Sequence, residues 1–156
     1  MPLRRLFLGV GWEIGEIYMT ELEHLIGKQK RVVSISNHVT VRDAAKAMAE
    51  ANVGAAAIMD GLKLVGLFTE RDVLKRVLLR NLDVDEVLVR DVMTRELICA
   101  ELGHTTNDAR FLLERHHIRH LPVLDDKGNL AGVLSIRDLI QDEVREMRDY
   151  IAQAEG

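Results

Sequence analysis

The same succession of short motifs occurs twice along the chain, and this internal repeat constrains the fold more than any other feature. Asp43 recurs 65 positions later as Asp108, each followed by alanine, and segment 66–72 recurs 66 positions later as 132–138. The one-residue difference falls in a Gly-containing turn, where an insertion is tolerated. A repeat of about 60 residues buries too little surface to be stable alone, so we expect the two copies to pack sheet to sheet.

Each copy predicts the order strand, helix, strand, strand, helix, so the chain is expected to be α/β, built as a pseudo-symmetric pair. Thr40 and Thr105 each have an aspartate three residues on and predict N-caps for the first helices, which run to about Asn52 and His117. Short apolar runs between turn residues indicate the strands. The predicted strands are 31–35, 55–59 and 64–68 in the first copy and 97–100, 120–124 and 130–134 in the second.

The repeats set the predicted domain boundaries. They are an N-terminal extension with an amphipathic helix over 1–27, a first repeat over 28–85, a second repeat over 86–142 and a helical tail over 143–156. The short apolar run near the N-terminus has no clean cleavage site after it and is not expected to be a signal peptide. No stretch approaches the roughly 20 apolar residues of a membrane span, so no membrane partner is expected.

Composition argues against nucleic acid as a partner. The formal net charge is −4 with a pI near 5.9, so the chain lacks the overall basic footprint of a nucleic-acid binder. Aromatic residues make up only 4%, too few for a platform on which bases stack. The single cysteine, Cys99, excludes an intramolecular disulfide and a cysteine-rich zinc site, and it suits a reducing, cytoplasmic compartment.

Two segments, 69–72 and 135–138, combine a hydroxyl, an arginine and an aspartate at the start of a predicted helix. One interpretation is a capping box and nothing more, since the same spacing occurs after Thr40 and Thr105. The other is a ligand site. A helix N-terminus suits phosphate, a carboxylate can accept both hydrogen bonds of a cis-diol, and the arginines Arg71 and Arg137 can offset phosphate charge.

At these segments both copies resemble the CBS domain, the cystathionine-β-synthase-type repeat. The second copy has segments 91–94, 118–124 and 132–138 in the family's order. The first copy matches through 40–44 and 66–72, and the resemblance covers roughly residues 28–142. Each motif is weak alone, but two sets in register identify a tandem CBS pair with flanking N- and C-terminal helices.

The resemblance implies up to two clefts between the repeats that bind a regulatory ligand rather than a cofactor: AMP, ADP or ATP, with NAD(H) or S-adenosylmethionine as alternatives. The family's ribose-binding aspartate carries over to Asp72 and Asp138, and its phosphate-contacting basic pair to Arg119 and His120. Adenine is expected at the backbone near Val33 or Ile98. The predicted ligand-binding residues are Val33, Thr69, Arg71, Asp72, Ile98, Arg119, His120, Pro122, Ser135, Arg137 and Asp138.

The first copy departs from the family pattern in two places. Gly54 and two alanines replace the basic pair and the Leu-Pro, and residues 28–31 replace the Met-Thr that ends at Thr94. The small residues either open space for ligand or leave one cleft without a phosphate anchor. We therefore expect two unequal clefts, one of which can be empty.

Three functions are weighed. The favoured one is a ligand-gated regulatory module without catalysis, expected to form a homodimer and to relay its state to an unidentified effector protein. The second is an interaction module that binds no nucleotide. The third is a metal-dependent enzyme or sensor using His116, His117 and His120, but the helix should end near His117, and no acid or cysteine completes the ligand set. No nucleophile–base or phosphate-loop motif is present in the sequence.

Overall fold

The computed structural model describes residues 20–29 and 32–156. Each repeat forms its own three-stranded sheet, whose middle strand pairs parallel with the first strand and antiparallel with the third. The predicted α/β class and twofold repetition are thus confirmed. Residues 12–19 of the predicted N-terminal helix lie outside the described part of the chain.

The first repeat follows a short lead-in helix, α1, and ends in a helical segment of mixed type. The elements are α1 Leu22–Gly27, β1 Ser34–Ser36, α2 Val41–Ala51, β2 Ala55–Asp60, β3 Lys63–Thr69 and α3 Glu70–Asp72. Beyond α3 the chain continues as a π-helical stretch, Val73–Val77, and a 3-10 turn, Leu78–Arg80.

The second repeat has the same order and a longer final helix. Its elements are the lead-in helix α4 Val89–Val92, β4 Ala100–Glu101, α5 Thr106–His116, β5 His120–Leu124, β6 Leu130–Ser135 and α6 Ile136–Glu155. The tail predicted from residue 143 is therefore continuous with α6. Among the described residues, no helix is both long enough and apolar enough to cross a bilayer.

Side-chain caps begin the helices at the predicted residues. The hydroxyls of Thr40, Thr69, Thr105 and Ser135 each accept a hydrogen bond from the backbone N–H three residues on. At the other end of the first helices, Asn52 and His117 take left-handed conformations with φ of 54° and 52°. The local signals thus fix both ends of α2 and α5.

The first strand of each repeat is shorter than predicted and lies nearer the following helix. The predicted strand over 31–35 is β1, and that over 97–100 is the two-residue β4. Both are edge strands, so only one side is paired, and β4 pairs with β5 only at Ala100 and Glu101. Before β1, the Ala57 N–H still donates to the Val33 carbonyl at 2.8 Å, which extends the ladder by one bond.

The lead-in helices are exchanged between the repeats. Leu22 and Leu25 of α1 are buried in the core of the second repeat, whereas Val89 and Val92 of α4 are buried in the core of the first. Because each lead-in helix completes the partner core, neither repeat is complete without the other.

Glycines mark the points where the lead-in segments cross the sheets. A Cβ on Gly132 would come within 2.8 Å of Ile26 Cδ1, and one on Gly66 within 2.8 Å of Met93 Cγ. Real Cβ atoms essentially never approach this closely, so the repeated glycine has a packing reason at both positions.

Candidate functional site

A cavity of about 940 Å³ lies between the two repeats. This volume is near the top of the range of about 300–1,000 Å³ typical of small-molecule sites. The first repeat contributes Val33 and the end of α2 through Gly54, and the second contributes Arg119, His120 and the start of α6. Six predicted site residues meet here: Val33, Arg119, His120, Ser135, Arg137 and Asp138.

Asp138 is half-buried at the N-terminus of α6 and lines the cavity. Its Oδ2 accepts from the Ser135 N–H at 2.8 Å, and Ser135 Oγ accepts from the Asp138 N–H at 3.2 Å. Within the described residues no hydrogen bond reaches Oδ1. A carboxylate has about four acceptor positions, so the cap and a ligand can share it. The two interpretations of this segment are therefore compatible.

His120 is placed by the small residue opposite it. A Cβ on Gly54 would come within 3.1 Å of both Cε1 and Nε2 of His120 and within 3.3 Å of Glu70 Oε2. The space that Gly54 leaves is thus filled by a side chain of the second repeat.

The surroundings of His120 favour the neutral form of its imidazole. Burial lowers its pKa below the ordinary 6.5, and nearby Arg119 lowers it further, while Glu70 and Asp138 oppose the shift. His120 therefore offers a hydrogen bond rather than a charge. Positive charge at the cavity comes instead from exposed side chains: Lys28, Arg119, Arg137 and Arg145, the last of which pairs with Asp142.

Glu70 and Gln29 are among the cavity residues that sequence reasoning missed. Glu70 differs from its equivalent in the second repeat, Ile136. An acid in the first turn also suits a helix N-terminus, so the residue type alone did not indicate a ligand site. Gln29 Nε2 donates to the Val133 carbonyl at 2.6 Å, and Oε1 is buried with no hydrogen-bond partner in the described part of the chain. Only the alignment of Gln29 with Thr94 could have indicated it.

The equivalent residues of the first repeat, around Asp72, are arranged differently. Asp72 is only 6% exposed, and the acceptor positions of its carboxylate are occupied. Thr69 donates to Oδ2 through N–H at 3.0 Å and through its hydroxyl at 3.1 Å. The Thr94 hydroxyl lies 3.2 Å from Oδ1, and Arg76 Nε lies 3.5 Å from the same oxygen. The carboxylate is thus held by the protein itself.

Five predicted residues lie outside the cavity: Thr69, Arg71, Asp72, Ile98 and Pro122. Arg71 donates to the His117 carbonyl at 3.4 Å, and Pro122 is a buried residue of β5. Ile98 is half-buried against the second core. Thr69 and Asp72 are hydrogen-bonded within the protein and do not line this cavity. The expectation of two unequal clefts allows this arrangement.

The three histidines do not converge. His116 ends α5, His117 is its left-handed cap, and His120 lines the cavity from β5. Across residues 20–29 and 32–156, no three histidine, cysteine or acidic side chains are grouped as a metal site requires.

The fold and cavity define a tandem pair of α/β repeats with a ligand-sized cleft between them. The CBS domain family model matches residues 22–79 and 89–144, so the chain belongs to the CBS domain family.

The chain is similar in sequence to known proteins and in structure to a solved relative. The CBS domain-containing protein YhcV of Bacillus subtilis is 33% identical over 109 residues, covering 70% of this chain and 76% of YhcV. An uncharacterized protein of Methanopyrus kandleri is 32% identical over 116 residues, or 74% of this chain but only 59% of that protein. A CBS domain protein of Pyrobaculum aerophilum, solved in complex with AMP, superposes with a TM-score of 0.69 at 30% identity, covering 76% of this chain and 88% of that one.

Proposed function

We propose that the protein is a regulatory module that binds an adenosine-containing ligand in the cavity between its repeats. The observation that carries the proposal is the half-buried Asp138 carboxylate at the N-terminus of α6, which lines a cavity of about 940 Å³ and whose Oδ1 accepts no hydrogen bond from the described residues. A ribose diol can donate to this carboxylate while Ser135 keeps the cap in place.

The rest of the cavity suits the other parts of such a ligand. Val32, Val33 and Ile136 line the cavity with accessible apolar surface for adenine, and Arg119, Arg137 and the His120 imidazole can contact a phosphate. AMP, ADP and ATP are the first candidates, and NAD(H) and S-adenosylmethionine are the alternatives. The AMP complex of the Pyrobaculum aerophilum relative supports an adenosine ligand.

The ligand would act by linking the repeats. Val33 and Gly54 come from the first repeat and His120 and Asp138 from the second, so a bound ligand contacts both. Such contacts favour one relative placement of the repeats, and coupling of this kind is typically worth about 1–3 kcal/mol. An effector protein of unidentified nature would read the difference. We propose no catalysis and no cofactor.

A homodimer is the proposed assembly, supported by an apolar stripe on α6. We define the α6 stripe as Ile140, Val144, Met147 and Ile151, whose side chains are 42% to 63% exposed. Their spacings of four, three and four residues are those of a coiled-coil seam. Glu143, which also pairs with Arg110 of its own chain at 3.1 Å, and Arg148 flank the stripe five residues apart. This is the spacing of charge pairs between parallel helices, so we propose a second copy in parallel orientation.

A cytoplasmic location completes the proposal. Burial raises the pKa of the Cys99 thiol, which favours its protonated and less reactive form. A lone, inert thiol suits a reducing compartment.

Thermal unfolding against AMP, ADP, ATP, NAD, NADH, S-adenosylmethionine and adenosine tests the proposal. A ligand at about 100 times its dissociation constant adds roughly 2.7 kcal/mol of stability and raises the midpoint visibly. We expect Asp138→Asn to lose this response, while Asp108→Asn, the equivalent change in the capping box of α5 outside the cavity, retains it. No response to any of the seven at millimolar ligand, in protein free of bound nucleotide, would favour the interaction module instead.

A further inference from the structure

The two candidate ribose-binding aspartates, Asp72 and Asp138, contact different residues of the lead-in segments. A lead-in segment is a lead-in helix together with the residues that follow it, Gln29 after α1 and Thr94 after α4. In the second repeat's lead-in, Thr94 forms reciprocal backbone hydrogen bonds with Leu67, at 3.0 and 2.9 Å. In the first repeat's lead-in, Gln29 takes the corresponding place beside Val133, but it binds through its side chain, at 2.6 Å. Thr94 and Gln29 are 65 positions apart, which is the offset of the repeat.

The difference between threonine and glutamine at this position changes how the neighbouring aspartate carboxylate is hydrogen-bonded. The Thr94 hydroxyl reaches both oxygens of Asp72, at 3.2 and 3.4 Å. Gln29 reaches Asp138 with a single long contact of 3.5 Å, to the oxygen that the cap already uses. Asp72 is buried and Asp138 is half-buried at the cavity.

We propose that the residue at this lead-in position decides which aspartate is open to ligand, so that the chain binds one ligand, at Asp138. Thr94 closes Asp72, and Gln29 leaves Asp138 open. The stoichiometry rests on the proposed ligand-binding function, whereas the closing of Asp72 by Thr94 does not.

The closing contact is tested without any ligand by a double-mutant cycle. Thr94→Val removes a hydrogen bond to a buried carboxylate and is expected to lower the folding equilibrium constant about tenfold in the wild-type background. The same change is expected to have less than about a twofold effect in an Asp72→Ala background, because no partner remains. Equal effects in both backgrounds would overturn the contact. If Asp72→Ala does not fold, Asp72→Ser serves in its place.

The proposed stoichiometry of one ligand per chain is tested by calorimetric titration with AMP and with S-adenosylmethionine. We expect one site per chain, unchanged by Asp72→Asn and weakened at least about tenfold by Gln29→Thr, which places a threonine beside Asp138 as Thr94 lies beside Asp72. Thr106→Val, a hydroxyl loss outside the cavity, is the control for the Thr94 and Gln29 changes.

Three results would overturn the inference: two sites per chain, loss of binding in Asp72→Asn, or wild-type binding by Gln29→Thr. Absence of binding by any adenosine ligand in the wild-type protein would instead contradict the proposed function and the one-ligand stoichiometry with it. The double-mutant cycle would still decide whether Thr94 closes Asp72, so the two failures are distinguishable.

Discussion

Gly54 of the first repeat lies directly against the imidazole of His120 of the second, with only 3.1 Å between the ring and the point where a Cβ would be placed. The smallest side chain of one repeat thus makes room for a cavity-lining side chain of the other. Since both residues line the cavity, the contact links the packing of the repeats to the site itself.

Replacing Gly54 with alanine should therefore disturb the site. The added Cβ meets His120 and Glu70, both of which must shift. We expect Gly54→Ala to be about 1 kcal/mol less stable than the control variant by urea titration, and to bind ligand more weakly. Gly103→Ala is the matched control because nothing lies within 4 Å of its Cβ position. Equal effects of the two substitutions would contradict the packing account.

Burial of His120 predicts a pH dependence of stability. Its pKa is lowered in the folded protein, so the unfolded chain takes up a proton as the pH falls through 6.5 while the folded protein does not. Protonation then favours unfolding, and His120 reduces stability below about pH 6.5. We expect His120→Gln to flatten the rise of the thermal midpoint between about pH 5 and 7.5. His116→Gln, at an exposed histidine, should leave the wild-type slope.

Glu70 should make the site sensitive to ligand charge. A phosphate bonded to the His120 imidazole lies beside the Glu70 carboxylate, so each additional negative charge meets repulsion. We expect Glu70→Gln to improve ATP binding about threefold to tenfold at low salt and to leave adenosine binding nearly unchanged. Glu114→Gln, on α5 and outside the cavity, provides the control in the same titration. Equal gains for ATP and adenosine would show that Glu70 acts otherwise than by charge.

The α6 stripe predicts an association that two substitutions can break. Met147→Lys combined with Ile151→Lys places charges in the proposed seam and should shift the protein from dimer to monomer in sedimentation velocity. The control is Leu62→Lys, at a side chain that is 93% exposed on the turn between β2 and β3. A wild-type protein that sediments as a monomer at micromolar concentration would contradict the dimer.

The local parts of the fold could be predicted from sequence because they depend on neighbouring residues. Thr40, Thr105 and Ser135 mark helix starts through hydroxyl-to-backbone hydrogen bonds, and β5 occupies the predicted residues. The short edge strands were predicted less well, since their limits depend on pairing with a distant strand.

The site was harder to predict because its differences arise from contacts between the repeats. Asp72 and Asp138 have the same local motif, yet only the Asp72 carboxylate accepts a hydrogen bond from the Thr94 hydroxyl. Likewise, nothing beside Glu70 in the sequence indicates that Gly54 and His120 adjoin it. These contacts follow from the exchange of lead-in helices, which the repeat pattern alone does not reveal.

Calorimetric titration of wild-type, Asp138→Asn and Asp108→Asn proteins with AMP tests the central claim most directly. S-adenosylmethionine is titrated in parallel. The account predicts saturable binding of at least one of the two ligands by the wild-type and Asp108→Asn proteins, and a loss of at least about tenfold in affinity for Asp138→Asn. Binding that survives Asp138→Asn unchanged would contradict the assignment of the cavity as the ligand site.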